Sequence, residues 1–160
     1  MDIQKFKELE QELGTTLTIS MLDWYAISSS YHALKEDFIR KYKGCVDWYA
    51  ISKFQILSEN FIREFQRDVN WKSICEYQKL SEDFIREFQD RLDLRRISYF
   101  QTLSEDFIRE FKDKLNWINI SSFQKLSEDF IREFKDKIWL EYLKANRNTP
   151  LDIKKKFINY

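Results

Sequence analysis

The segment Ser81-Glu82-Asp83-Phe84-Ile85-Arg86-Glu87-Phe88 returns unchanged at Ser104–Phe111 and Ser127–Phe134, with a near copy from Ser58 and a degraded one from Lys35. Its phenylalanine falls at Phe38, Phe61, Phe84, Phe107 and Phe130, a spacing of 23 residues. A second marker, Trp24, Trp48, Trp71, Leu94 and Trp117, keeps that interval after one extra residue near Ser28 to Ser30. Self-similarity at a short fixed period is the signature of a repeat architecture. Five units occupy residues 24–138.

At about 100° per residue, such a period rotates a helix by about 140° beyond whole turns. Equivalent apolar side chains on one continuous rod would therefore spiral and share no face. Each unit must break, and capping chemistry locates the breaks. Asn70, Asp93 and Asn116 precede the Trp or Leu marker, where an Asx oxygen accepts the free amides of a helix start. Val69, Leu92 and Leu115 stand at N′ with Ile74, Ile97 and Ile120 at N4, the spacing of a hydrophobic staple. Ser81, Ser104 and Ser127 cap a second helix whose first turn carries Glu and Asp, favourable beside the positive end of its dipole, with Leu80 and Ile85 as the staple pair.

Each unit then reads as helix B, for example Trp71 to Lys79, followed by helix A, for example Glu82 to Arg91, joined by hinges of one or two residues. Trp71, Ile74, Tyr77 and Leu80 make the apolar stripe of helix B; Phe84, Ile85, Phe88 and Leu92 make that of helix A. Helices of about ten residues are marginal alone in water, so stability must come from stacking on neighbouring units. The expected fold is all-α: an α-solenoid of two-helix repeats with atypical N- and C-terminal capping helices. A single domain, 1–160, would comprise a cap over 1–23, five repeats over 24–138 and a cap over 139–160. No Asx cap separates Ile138 from Trp139. One longer helix is therefore predicted from about Glu128 to Lys144, then a break at Asn146 to Thr149. A last helix is capped by Thr149 with Pro150 at N1.

Composition agrees. Two Gly and one Pro in 160 residues are too few for strands joined by tight turns. Lys plus Arg equals Asp plus Glu at 27 each, which disfavours a polyanion partner while leaving room for a local stripe. No run approaches a membrane span, and Met1-Asp2-Ile3-Gln4-Lys5 lacks the layout of a signal peptide. A soluble protein of the cytoplasm is expected, with Cys45 and Cys75 as buried or idle thiols.

Little in the sequence carries reaction chemistry. His32 is the lone histidine and fills the slot of Gln55, Gln78, Gln101 and Gln124 in later units. No Cys and His cluster has zinc spacing, and Gly14 and Gly44 are isolated, so phosphate loops of the Gly-rich kinds are excluded. Carboxylate pairs such as Glu105 and Asp106 recur at helix starts, where the dipole explains them. The recurring Arg and Gln bridge adjacent units or reflect recent duplication. Lys154-Lys155-Lys156 beside Phe157 and Ile158 is either a contact for an acidic partner or, as is usual for so short a run, solvation of a terminal helix. No enzyme, cofactor or metal is expected.

Differences between units concentrate on helix B. Counted from the marker, positions +1, +5 and +8 hold Tyr49, Lys53 and Ile56; Lys72, Glu76 and Lys79; Arg95, Tyr99 and Thr102; then Ile118, Ser122 and Lys125. That spacing is one helical stripe. It is either a solvated face free to drift or a chemically mixed partner surface of the kind repeat proteins present.

At the level of L-S-E-D-F-I-R-E-F followed by N-W, I-S and F-Q, the chain resembles short helical tandem-repeat proteins of giant DNA viruses and large phages, over about residues 24–138. Departures fall at Lys35, Asn60 and Leu94. The resemblance carries no activity; it implies a viral intracellular protein acting against a host factor. The leading expectation is a protein-binding scaffold whose partner is a protein. Nucleic acid or nucleotide along a superhelical groove is the alternative; no membrane is expected, and the repeat ends leave room for self-association.

Overall fold

A computed structural model describes residues 3–14, 23–29 and 34–158, with the side chains of 3–6 left aside. His32 and residues 15–22 of the expected N-terminal cap lie outside the described residues. Among the described residues there are thirteen helices and no strand. They are α1 (Ile3–Leu13), α2 (Trp24–Ser28), α3 (Glu36–Lys41), α4 (Trp48–Phe54), α5 (Glu59–Glu64), α6 (Trp71–Tyr77) and α7 (Glu82–Glu87). They continue with α8 (Leu94–Phe100), α9 (Glu105–Glu110), α10 (Trp117–Phe123), α11 (Glu128–Glu133), α12 (Leu140–Ala145) and α13 (Leu151–Lys155). The chain is all-α, an α-solenoid of two-helix repeats.

Met1–Gln78 and Lys79–Tyr160 form two compact units. In the first, α2 packs on α4 and α4 on α6; in the second, α8 packs on α10 and α10 on α12. Helices B therefore stack on helices B within each unit.

The breaks fall where capping chemistry places them. Asn70 takes an extended backbone and its side chain accepts the Ser73 N–H at 2.9 Å. Asp47 accepts from Ala50 at 2.8 Å, and Asn116 from Asn119 at 3.1 Å. Ser58, Ser81, Ser104 and Ser127 each accept the N–H of the phenylalanine three residues on, at 3.1–3.2 Å. Lys35, at the degraded copy, makes no such bond. The staple residues Val69 with Ile74 and Leu92 with Ile97 are all buried.

Within the core, Phe61, Phe84, Phe107 and Phe130 are wholly inaccessible, as are Ile62 and Ile108. Burying one such side chain contributes roughly 1.5–3 kcal/mol. Trp48 lies over Phe61 and Phe65, and Trp117 over Phe130 and Phe134, at centroid distances of 5.0–6.3 Å. The marker thus roofs the two phenylalanines of its own unit.

Several expectations need correction. The helices are shorter and the hinges longer: residues 78–81 join α6 to α7, and 88–93 join α7 to α8. Gln78 leaves the helix with extended backbone, φ −94° and ψ 147°. Phe88 closes α7, and turns bonded from Arg91 and Leu92 N–H to Phe88 O carry the chain onward. Tyr77 does not join the buried stripe of helix B but is 51% exposed. As the last residue of its helix it has no further turn beside it, and buried Gln78 takes the inward place.

The predicted long helix from Glu128 to Lys144 does not form; α11 ends at Glu133 and α12 starts at Leu140. The break does not depend on the missing Asx cap. Turn bonds from Lys137 and Ile138 N–H to Phe134 O close α11, and Ser121 Oγ accepts the Trp139 N–H at 3.0 Å. The last helix starts one residue later than predicted: Pro150 is the cap residue, not N1. Thr149 instead accepts the Leu126 N–H at 3.1 Å. Lys154 is not a solvated lysine either. It is buried, and its ammonium donates to Lys144 O and Asn146 O, closing the end of α12.

Candidate interaction surface

A repeat surface becomes legible once the side chains that hold the repeats together are set aside. The glutamine after each helix B is buried and joins its unit to the one before. Gln124 accepts the Leu103 N–H at 2.9 Å and donates to Ser98 O and Gln101 O at 3.1 and 2.8 Å. Gln78 does the same to Leu57, Ser52 and Gln55, and Gln55 reaches Leu34 and Ser28. The hinge amides and carbonyls that a repeat cannot satisfy internally are thereby paired, as buried backbone groups require. In the C-terminal cap two residues share the task. Asn146 donates to Ser121 O and Gln124 O, both at 2.8 Å, while Thr149 accepts from Leu126.

Serine at +4 of helix B is the second bridge. Ser28, Ser52, Ser98 and Ser121 accept the N–H of the residue capping the next helix B, at 2.9–3.0 Å. Helix A supplies the third. Arg86 pairs with Asp83 at 3.0 Å, reaches Glu110 of the next repeat at 2.8 Å and lies 5.1 Å over the Phe107 ring. Arg40 and Arg109 repeat that geometry with Glu64 and Phe61, and with Glu133 and Phe130. The next-repeat carboxylates hold all three guanidiniums above their ordinary value. The paired carboxylates are engaged too, since Glu82 and Glu105 accept both the N–H and the hydroxyl of Ser104 and Ser127. The recurring Arg and Gln do bridge adjacent repeats.

The variable stripe is what this framework leaves outward. Lys72, Lys79, Arg95, Thr102 and Lys125 are exposed, as are Tyr49, Ile56 and Tyr99. Lys53, Glu76, Ile118 and Ser122 are half-buried. Ser122 is partly spent, its hydroxyl donating to Ile118 O at 2.7 Å. Among the described residues, no carboxylate lies within ion-pairing distance of Lys72, Lys79, Arg95 or Lys125.

The structure brings only some of these residues together. In the first unit the Lys53 ammonium lies 5.7 Å from the Tyr49 ring centroid, 5.0 Å from Phe54 and 5.3 Å from Tyr77. Its hydrogen bond to Tyr49 raises its pKa. In the second unit Tyr99 meets Phe100 and Phe123 edge to face, at 4.6 and 4.5 Å. Asp93, Arg95, Arg96, Tyr99, Phe100 and Asn119 line an open depression of about 290 Å³.

Sequence reasoning missed the +6 position. Phe54, Tyr77, Phe100 and Phe123 stand there, each 40–51% exposed. The signal was available, because an aromatic recurring at the repeat period on a seven-residue helix already anchored by isoleucine is surplus to the core. Among the described residues, no group of His, Cys, Asp and Glu could hold a metal ion and no helix is long and apolar enough to cross a membrane. Cys45 is exposed, Cys75 is buried, and neither is in a disulfide. No family model, curated protein or solved structure matches the chain.

Proposed function

We propose that the chain is a non-enzymatic protein-binding scaffold whose contact surface is the outward side of helix B. One observation carries the reading: every described helix B from α4 to α10 ends in an exposed aromatic at +6, set beside a variable mix of charged, polar and apolar residues at +1, +5 and +8. Aromatic residues and arginine, here the +6 rings with Tyr49, Tyr99 and Arg95, are residue types enriched in protein interfaces. The repeated residues of helix A have structural partners that account for them, so helix A offers less to a ligand.

Nucleic acid is the second reading, and the ring geometry weighs against it. Base stacking needs open ring faces, whereas Tyr99, Phe100 and Phe123 meet one another edge to face and Lys53 lies over three rings. The test is pull-down from the native host with Lys72, Arg95 and Lys125 together changed to Glu. Loss of capture at an unchanged unfolding midpoint is expected; undiminished capture would remove helix B as the contact surface.

A further inference from the structure

We infer that the second unit docks an acidic polypeptide segment carrying an apolar anchor, on the depression between α8 and α10; this rests on the scaffold reading. Three observations converge there. First, the lining is net positive, with two arginines and one aspartate. Asp93 is the only carboxylate in the lining, and it is already engaged: one oxygen accepts the Arg95 and Arg96 N–H groups and the other lies 3.4 Å from Arg96 Nε. Arg95 has no carboxylate partner among the described residues and stands exposed. Its backbone is fixed, because Asn119 of the next repeat donates to Arg95 O at 3.2 Å.

Second, the apolar side is assembled beforehand. Tyr99 and Phe100 form the wall, and Phe123 on the neighbouring helix braces Tyr99 edge to face, so the wall loses little freedom on binding. Third, a guanidinium beside ordered rings with an open hollow suits a carboxylate next to a bulky side chain, since Arg pairs carboxylates in a fork and is itself weakly hydrated. A polynucleotide needs a row of cations along its backbone. The hollow offers Arg95 and the already engaged Arg96.

The experiment is selection of a random-peptide display library on the full chain, followed by titration of the enriched peptides and of an oligothymidine strand against the parent, Arg95→Glu and Phe100→Ala. Both changes are at exposed side chains, and the unfolding midpoint of each variant is read alongside. Enriched peptides should be rich in Asp and Glu around a Phe, Trp or Leu, and each substitution should weaken them by about tenfold or more, with added salt weakening them further. Neutral or basic peptides that still depend on Phe100 would overturn the acidic chemistry and leave the helix-B scaffold standing. Peptides indifferent to both substitutions, or no enrichment at all, would overturn both. Tight oligothymidine binding lost in Arg95→Glu would replace this proposal with a nucleic-acid one.

Discussion

Helix A and helix B carry opposite kinds of information. From α5 to α11, helix A keeps nearly one sequence, and most of its repeated side chains are buried, cap a helix or reach the next repeat: Phe107 fills the core, Ser104 caps, Arg109 spans to Glu133, while exposed Asp106 pairs with Arg109. Helix B splits along its own surface. Its inward residues, Ile97, Ser98 and Gln101, are buried like the core of helix A, while Arg95, Tyr99 and Phe100 face outward. Sameness among copies therefore marks structural duty, and variation marks the surface a partner can use. Constancy at +6 is the exception, an exposed aromatic with no core duty.

The contrast is sharpest at phenylalanine. Phe107→Ala, at a wholly inaccessible site, should cost about 3–5 kcal/mol in denaturant unfolding. Next comes the glutamine bridge. Gln124→Ala strands the Leu103 N–H and the Ser98 and Gln101 carbonyls in the interior, for a loss of about 2–4 kcal/mol; Gln124→Glu should be no rescue, because it brings a carboxylate toward two carbonyl oxygens. Ser98→Ala removes one acceptor, for the Asn116 N–H, and should cost about 1–2 kcal/mol in the same assay. Phe123→Ala, 40% exposed, should cost about 1–2 kcal/mol, well short of Phe107→Ala. A loss there matching Phe107→Ala would erase the distinction between the two faces.

Smallest is the exposed ion-pair ladder. Lys156 and then Arg132 hold Glu128 below the usual carboxylate range, and Lys137 does so for Asp113. A carboxylate with a lowered folded pKa stabilises above its unfolded value, and that contribution fades as pH falls through the folded one. Both groups therefore support the fold at neutral pH; the contribution begins to fade below the ordinary value, 4.5 for Glu128 and 3.8 for Asp113, and is gone once pH has passed below their lowered folded values. Glu128→Gln should flatten the acid limb of the unfolding midpoint against pH, and added salt should shrink the difference.

Much of this was legible in the sequence. The period excluded a single rod, and Asn70, Ser81 and Asn116 located helix starts because a cap is a local interaction between neighbours in sequence. Failures came where the decisive partner lies a repeat away. The break before α12 survives without an Asx cap because Ser121 holds the Trp139 N–H, and Thr149 serves Leu126 in place of its own helix. No local rule contains those bonds. The outward stripe was readable as a spacing; its +6 row was readable as a recurring aromatic, but not as exposed, since helical angle alone does not reveal which residue comes last before the chain turns.

The most direct test is hydrogen exchange at the hinge amides of Leu57 and Leu103. Neither lies in a helix, and both are held by a glutamine from the following repeat. Protection comparable to the helical amides is expected in the parent, with Gln124→Ala releasing Leu103 while Leu57 stays slow. Fast exchange at both sites in the parent would contradict the glutamine-bridged stacking on which the division between structural and partner-facing residues depends.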